Sequence, residues 1–234
     1  MVPIGEHPIL WHILRTYERH GFRRIVLCLG FKADVVKDYF SNFHLHNSDT
    51  TIALKTNKVK VHECRVDLDL EVTLAYTGEK NMTGSRIAQA TAKYLGNAEH
   101  FAVTYGDGLT DANLADEFRY HLRQKKLGTV LGVNPPSRFG EIKISGDRVV
   151  EFAEKPDLDN HWINGGYFFF HRNFRKYLSK DEGCVLEREP LIKLAQDGLL
   201  NIYKHSGFWA CMDTQRDREH LTRLVESGKP PWLK

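Results

Sequence analysis

The sequence predicts an α/β fold, a Rossmann-like doubly wound mixed sheet, and three observations carry that expectation. Helix-period and strand-period patterns alternate along most of the chain. The apolar run Phe101-Ala102-Val103-Thr104 closes on Tyr105-Gly106-Asp107-Gly108, a carboxylate on a glycine-flanked turn where a buried strand ends. Ligands of open α/β sheets bind at the carboxyl ends of strands, which makes Asp107 a functional-site candidate. Finally, 234 residues with 41% hydrophobic and 27% charged side chains suit one domain spanning residues 1–234, with a substantial core.

The elements follow in order. Ile9, Leu10, Ile13, Leu14 and Tyr17 recur at helical spacing and stop at Gly21, so the first element is an amphipathic helix. A strand follows at Ile25-Val26-Leu27-Cys28-Leu29, then a helix with Val35, Val36, Tyr39, Phe40 and Phe43 on its inner side. Helix, strand, helix is the second half of a βαβ unit whose first strand has no counterpart here. Alternation over residues 51–55, 59–64 and 72–76 predicts three short strands joined by polar turns, forming a β insertion or a sheet extension. A helix is expected after Thr83, with Ile87 and Tyr94 inward and Gly96 near its end. Leu114, Phe118 and Leu122 mark another helix, and residues 129–133 another strand. Residues 141–152 read as a hairpin turning at Ser145-Gly146-Asp147. Residues 162–170 return as a strand, and helices over residues 189–195 and 216–226 flank a strand through Ile202 and Tyr203.

The net charge of +3 is spread along the chain, which argues against a nucleic-acid or membrane surface. Cys28, Cys64, Cys184 and Cys211 show no Cys-x-x-Cys spacing, which fits neither a disulfide framework nor a structural zinc site and suits the cytoplasm. His44-Leu45-His46 has the alternate spacing of two strand ligands, but with no third ligand it reads as a surface pair. Tyr167-Phe168-Phe169-Phe170 reads as core strand, and Arg123-Gln124-Lys125-Lys126 as a solvated helix end.

Six further segments stand beside the Asp107 turn: Met82-Thr83-Gly84-Ser85-Arg86-Ile87, Arg138-Phe139-Gly140-Glu141, Glu154-Lys155-Pro156, Asn164-Gly165-Gly166-Tyr167, Gly207-Phe208-Trp209 and Met212-Asp213-Thr214. In order and wording they resemble the nucleotide-sugar nucleotidyltransferases, and most of all the glucose-1-phosphate cytidylyltransferase family. The resemblance implies a GT-A-like nucleotidyltransferase fold, Mg2+ as cofactor, CTP and glucose 1-phosphate as substrates, CDP-glucose for polysaccharide or deoxysugar synthesis, and a homo-oligomer. It implies Asp107 and Asp213 as metal-binding and catalytic residues, with Lys155 beside the sugar phosphate. It places Thr83, Gly84, Arg86, Tyr105 and Gly106 at the nucleotide, and Gly140, Glu154, Lys155, Asn164 and Gly165 at the sugar phosphate. The chemistry is consistent: joining two anions calls for charge neutralisation and positioning, which carboxylate-held Mg2+ and a lysine supply.

Each residue also has a plain structural reading. Asp213 before Thr214 can cap the following helix, and Thr83 can begin a helix that leaves Arg86 exposed. Ser85 stands where the family has a second glycine, and Ala210-Cys211 also departs from the family pattern. Family members open with a strand and a Gly-Gly-x-Gly-Thr-Arg-Leu phosphate loop, neither of which occurs here. The expectation is therefore that these 234 residues fold poorly by themselves and turn over little substrate. The rival readings are a pyrophosphorylase for another nucleotide or sugar, and a non-catalytic sugar-phosphate-binding or oligomer-forming subunit. Asp107-Gly108-Leu109 lacks the Asp-x-Asp that a metal-dependent glycosyltransferase would want.

Overall fold

A computed structural model describes residues 1–64, 68–135, 140–153 and 161–233. In chain order the strands and helices are β1 (Pro3–Ile4), β2 (His7–Pro8), α1 (Ile9–Arg19), β3 (Arg24–Leu29), α2 (Ala33–Ser41), α3 (Phe43–His46), β4 (Ser48–Ala53), β5 (Lys58–Cys64), β6 (Glu71–Tyr76) and α4 (Thr83–Tyr94). They continue with β7 (His100–Thr104), β8 (Gly108–Thr110), α5 (Leu114–Gln124), β9 (Gly128–Val133), β10 (Glu141–Ser145), β11 (Arg148–Ala153), β12 (Ile163–His171), α6 (Glu189–Gln196), β13 (Leu200–His205), β14 (Trp209–Cys211) and α7 (Gln215–Glu226).

The main sheet is mixed. Four strands run in the order β13-β9-β12-β7, with β13 parallel to β9 and β12 antiparallel to both its neighbours. β3 and β6 form a separate parallel pair. The period of two along a strand sends β12 side chains alternately to two cores. Tyr167 and Phe169 join Ile9, Ile13, Leu109 and Leu221 on one face, while Phe168 and Phe170 join Ile87, Phe174, Leu186 and Leu194 on the other. A strand covered on both faces can be apolar throughout, which is why Tyr167 to Phe170 reads as an unbroken aromatic run.

Four details refine or correct the sequence reading. The three short strands divide: β6 extends the sheet by pairing with β3, while β4 and β5 form a hairpin of their own. α2 has no fully buried residue, with Val35 45% exposed, and Phe43 sits on the separate turn α3. His44 and His46 are exposed on that helical turn, in keeping with a surface pair. Leu122 faces outward on α5, where Glu117 and His121 take the inward positions. The last departs furthest from pattern reasoning, because an acidic side chain occupies a core position.

Candidate active site

β7 ends at Thr104, and the next three residues are held from both sides. The Tyr105 N–H donates to the Gly166 carbonyl at 3.2 Å, and the Met212 N–H donates to the Asp107 carbonyl at 2.9 Å. β14 pairs antiparallel with β8 in the register Cys211↔Gly108, so the residues that follow β14 emerge beside those that precede β8. This is what brings Asp213 to Asp107 across more than a hundred positions of sequence. Burial raises the Asp107 pKa above the usual carboxylate range, and the negative field of Asp213 raises it further. Asp213 also accepts from the Cys211 Sγ at 3.2 Å. It is not the helix cap: Thr214 caps α7, in a reciprocal capping box with Asp217.

The Tyr105 ring lies over Gly166. That glycine has φ +77°, and a Cβ there would stand 2.6 Å from the ring, so any other residue would be strained and would displace Tyr105. The Tyr105 hydroxyl donates to Glu187 Oε1 and accepts from Asn164 Nδ2 at 3.2 Å. The Asn164 Oδ1 in turn accepts from the Gly166 N–H at 2.8 Å, and the Trp209 Nε1 donates to the Gly165 carbonyl at 2.8 Å. Here the β12 ladder with β9 slips register between Asn164 and Phe168, re-aiming Asn164 toward Tyr105.

The opening turns of α4 form the opposite wall, docked on the segment before α6. Thr83 donates to Glu187 Oε2 at 3.0 Å and accepts from the Leu186 N–H at 2.9 Å. A Cβ on Gly84 would lie 2.6 Å from Cys184 Sγ and 3.0 Å from the Cys184 carbonyl, so this glycine serves close packing of the helix. Ser85, fully buried, donates to the Lys180 carbonyl at 2.9 Å; its extra side chain points into the fold. Arg86 is half-buried, not exposed. Its guanidinium donates to the Asn81 carbonyl, the Thr77 hydroxyl and the Glu79 carbonyl, organising the stretch before α4.

Thr83, Arg86, Tyr105, Gly106 and Asp107 therefore line one cavity, with Asn164 joined to it through Tyr105. Gly84 is buried behind its wall. Gly140 stands exposed before β10 and is not among the residues this network joins. Lys155 and Glu154 lie outside the described residues. Glu187 is the residue that sequence reasoning missed: it bridges Tyr105 and Thr83 with one oxygen each, and no local pattern sets it apart from any exposed glutamate.

Among the described residues no cluster of three or more His, Cys, Asp or Glu side chains forms a self-sufficient metal cage. Two carboxylates whose charges oppose each other fit a different arrangement, in which Mg2+ takes one or two protein carboxylates and completes its shell with substrate phosphates and water. The donor set at Asp107 and Asp213 suits that ion.

The sequence model of the Nucleotidyl transferase family matches residues 1–207. The chain is 41% identical over 232 residues to the glucose-1-phosphate cytidylyltransferases of Salmonella typhi and Salmonella typhimurium, covering 99% of this chain and 89% of each of those. Among solved structures, HddC from Yersinia pseudotuberculosis aligns with TM-score 0.65 over 96% of this chain and 88% of that one, at 20% identity, a likeness of fold.

Proposed function

We propose that this chain, which belongs to the nucleotidyl transferase family and is a sugar-phosphate nucleotidyltransferase, joins CTP to glucose 1-phosphate to give CDP-glucose and pyrophosphate. The cytidine and glucose preferences rest on the two relatives at 41% identity. The observation that carries the chemistry is the convergence of Asp107 and Asp213 at the ends of β7 and β14, pinned by the bond between the Met212 N–H and the Asp107 carbonyl.

In the reaction an oxygen of the sugar phosphate attacks the α-phosphorus of CTP. The bond from that phosphorus to the oxygen bridging to the β-phosphate breaks, and pyrophosphate leaves with the electron pair. Bound Mg2+ supplies neutralisation of the charge gathered at the phosphates. Asp107 and Asp213 are the groups that would hold it. Tyr105, fixed between Glu187, Asn164 and Gly166, forms a rigid wall between the two substrates. The start of α4, anchored through Thr83, turns the positive end of a helix dipole toward the nucleotide. Asn164 and the Gly165 turn face the sugar side, where Lys155 and Glu154 are proposed to add a charge and an acceptor.

The test is pyrophosphate release from CTP and glucose 1-phosphate with Mg2+, with ATP, GTP, UTP and dTTP competing in parallel, and with mannose and galactose 1-phosphates replacing glucose. Release specific to CTP and glucose 1-phosphate is expected. Preference for another nucleotide or sugar would move the chain within its family, and release with none of them would count against catalysis by this chain.

A further inference from the structure

The turn that carries Asp107 has little packing of its own. Gly106 and Gly108 flank the carboxylate, and a Cβ at Gly106 would meet no atom within 4 Å. Its position therefore depends on hydrogen bonds to its backbone, made by segments distant in sequence. Before Asp107 the Tyr105 N–H donates to the Gly166 carbonyl at 3.2 Å, and after it the Asp107 carbonyl accepts from the Met212 N–H at 2.9 Å. A further bond comes from a side chain: the Tyr167 hydroxyl donates to the Gly108 carbonyl at 2.8 Å inside the core.

The β8–β14 ladder explains why that carbonyl turns to a side chain. Residues facing each other in an antiparallel pair alternate between those that exchange hydrogen bonds and those that do not. The bonds from the Met212 N–H to the Asp107 carbonyl and from the Asp111 N–H to the Phe208 carbonyl put Asp107 and Asp111 in the bonded class. Gly108, opposite Cys211, falls in the other class, so its carbonyl points away from β14, and among the described residues no other strand pairs with β8. Tyr167 is the donor that reaches it. Its ring is 1% exposed, stacks on Tyr17 with centroids 6.0 Å apart, and shares a core with Leu109, Leu131 and Phe169. A phenylalanine has nearly the same shape and no donor.

We propose that Tyr167 is a positioning residue for the metal-binding carboxylates: its hydroxyl locks the peptide group after Gly108 and so aims Asp107 toward Asp213. Met212 and Tyr167 clamp two successive carbonyls from opposite sides, which fixes the peptide planes on both sides of Gly108. The hydroxyl is bonded to backbone and takes no part in making or breaking bonds. Tyr167 follows the Asn164-Gly165-Gly166 turn directly, so the sugar side and the metal side of the site share one support in β12. The proposal rests on the metal role given to Asp107 and Asp213 above.

Tyr167→Phe in the whole chain tests it, beside Phe169→Leu, which loosens the same core on the same strand without touching Gly108. The probe is Mn2+, with the free ion read from its electron paramagnetic resonance signal, and pyrophosphate release from CTP and glucose 1-phosphate is followed in parallel. Tyr167→Phe is expected to weaken Mn2+ binding about tenfold and to raise the Mg2+ needed for half-maximal activity by a similar factor. The KM for glucose 1-phosphate at saturating Mg2+ should stay within about twofold of the wild type. Phe169→Leu is expected to melt earlier and to bind Mn2+ as the wild type does. Tyr167→para-aminophenylalanine returns a donor to the Gly108 carbonyl and should restore Mn2+ affinity to within about threefold, a comparison that holds even where the phenylalanine variant does not fold. Unchanged Mn2+ affinity in folded Tyr167→Phe, equal weakening in Phe169→Leu, or no restoration by the amino variant would overturn the positioning role. Mn2+ binding to the wild type no tighter than to Asp107→Asn would instead overturn the metal reading, and this proposal with it.

Discussion

Glu117 is completely buried on α5, and among the described residues neither of its carboxylate oxygens has a hydrogen-bond partner. The groups that feel its field are the hydroxyls of Tyr17, Tyr167 and Tyr203, contributed by α1, β12 and β13. Burial disfavours the charged form and raises its pKa well above the carboxylate range. In the unfolded chain the same group ionises at about pH 4.3. The folded state thus keeps a proton that the unfolded state loses, and this contribution to stability is complete below the unfolded pKa and lost as pH rises toward the folded one. Within that window the loss is about 1.4 kcal/mol per pH unit. Glu117→Gln keeps the shape and stays neutral at every pH. Urea midpoints and slopes for both proteins at pH 5, 6, 7 and 8 isolate the effect, because every other titrating group is common to both. The variant is expected to gain on the wild type by about 1.4 kcal/mol for each unit of pH inside the window. A stability difference that stays constant from pH 5 to 8 would refute the reasoning and mean that Glu117 is charged in the fold.

Other consequences follow from the site and its supports. Asp107→Asn is expected to lower kcat by about 10²- to 10³-fold while leaving the melting temperature nearly unchanged, since the fold uses the Asp107 backbone; a cooperative melt with full activity would contradict the metal role. Asp213→Asn removes the charge that raises the Asp107 pKa, so any remaining activity should have its acid limb at lower pH than in the wild type. Gly84→Ala drives a methyl group against Cys184 and should cost about 1–3 kcal/mol, read as a lowered denaturation midpoint. Glu187→Gln replaces one of two charge-assisted acceptors and should raise the KM for the nucleotide more than it lowers kcat; equal effects on both substrates would argue against coupling through Thr83. Burial lowers the pKa of His12 and of His121 to about 4 from 6.5, so both are neutral in the fold and protonated in the unfolded chain between these values. Their contribution to stability is present above pH 6.5 and lost as pH falls toward 4, which acid titration of the denaturation midpoint will show.

Much of the candidate site could be proposed locally because its residues sit at turns, and turns announce themselves through glycine. Asp107 could be picked out as a candidate because it sits on a turn at the end of an apolar run, though a turn carboxylate reads the same locally and only the series of motifs downstream favoured a functional role. Asn164-Gly165-Gly166 likewise signals an interrupted strand, and the register slip in β12 is its structural counterpart. Arg86 lines the cavity and Gly84 packs behind it, but the contacts that hold them there were beyond a local reading. Which acceptors a guanidinium finds, and what a helix backbone must pack against, depend on segments that are adjacent only in space.

The sequence by itself determined the elements of this protein and most of their order, because periodicity and turn chemistry are local properties that the chain carries wherever it goes. It determined the family as well, since the motifs lie along the chain in a recognisable order. Only the tertiary structure decided that β6 belongs beside β3, that Glu187 ties Tyr105 to Thr83, and that Asp213 raises the pKa of Asp107. It also decided that Glu117 faces the core. Each of these depends on strand pairing or on packing between residues distant in sequence, and such contacts leave no period or spacing for a local reading to find.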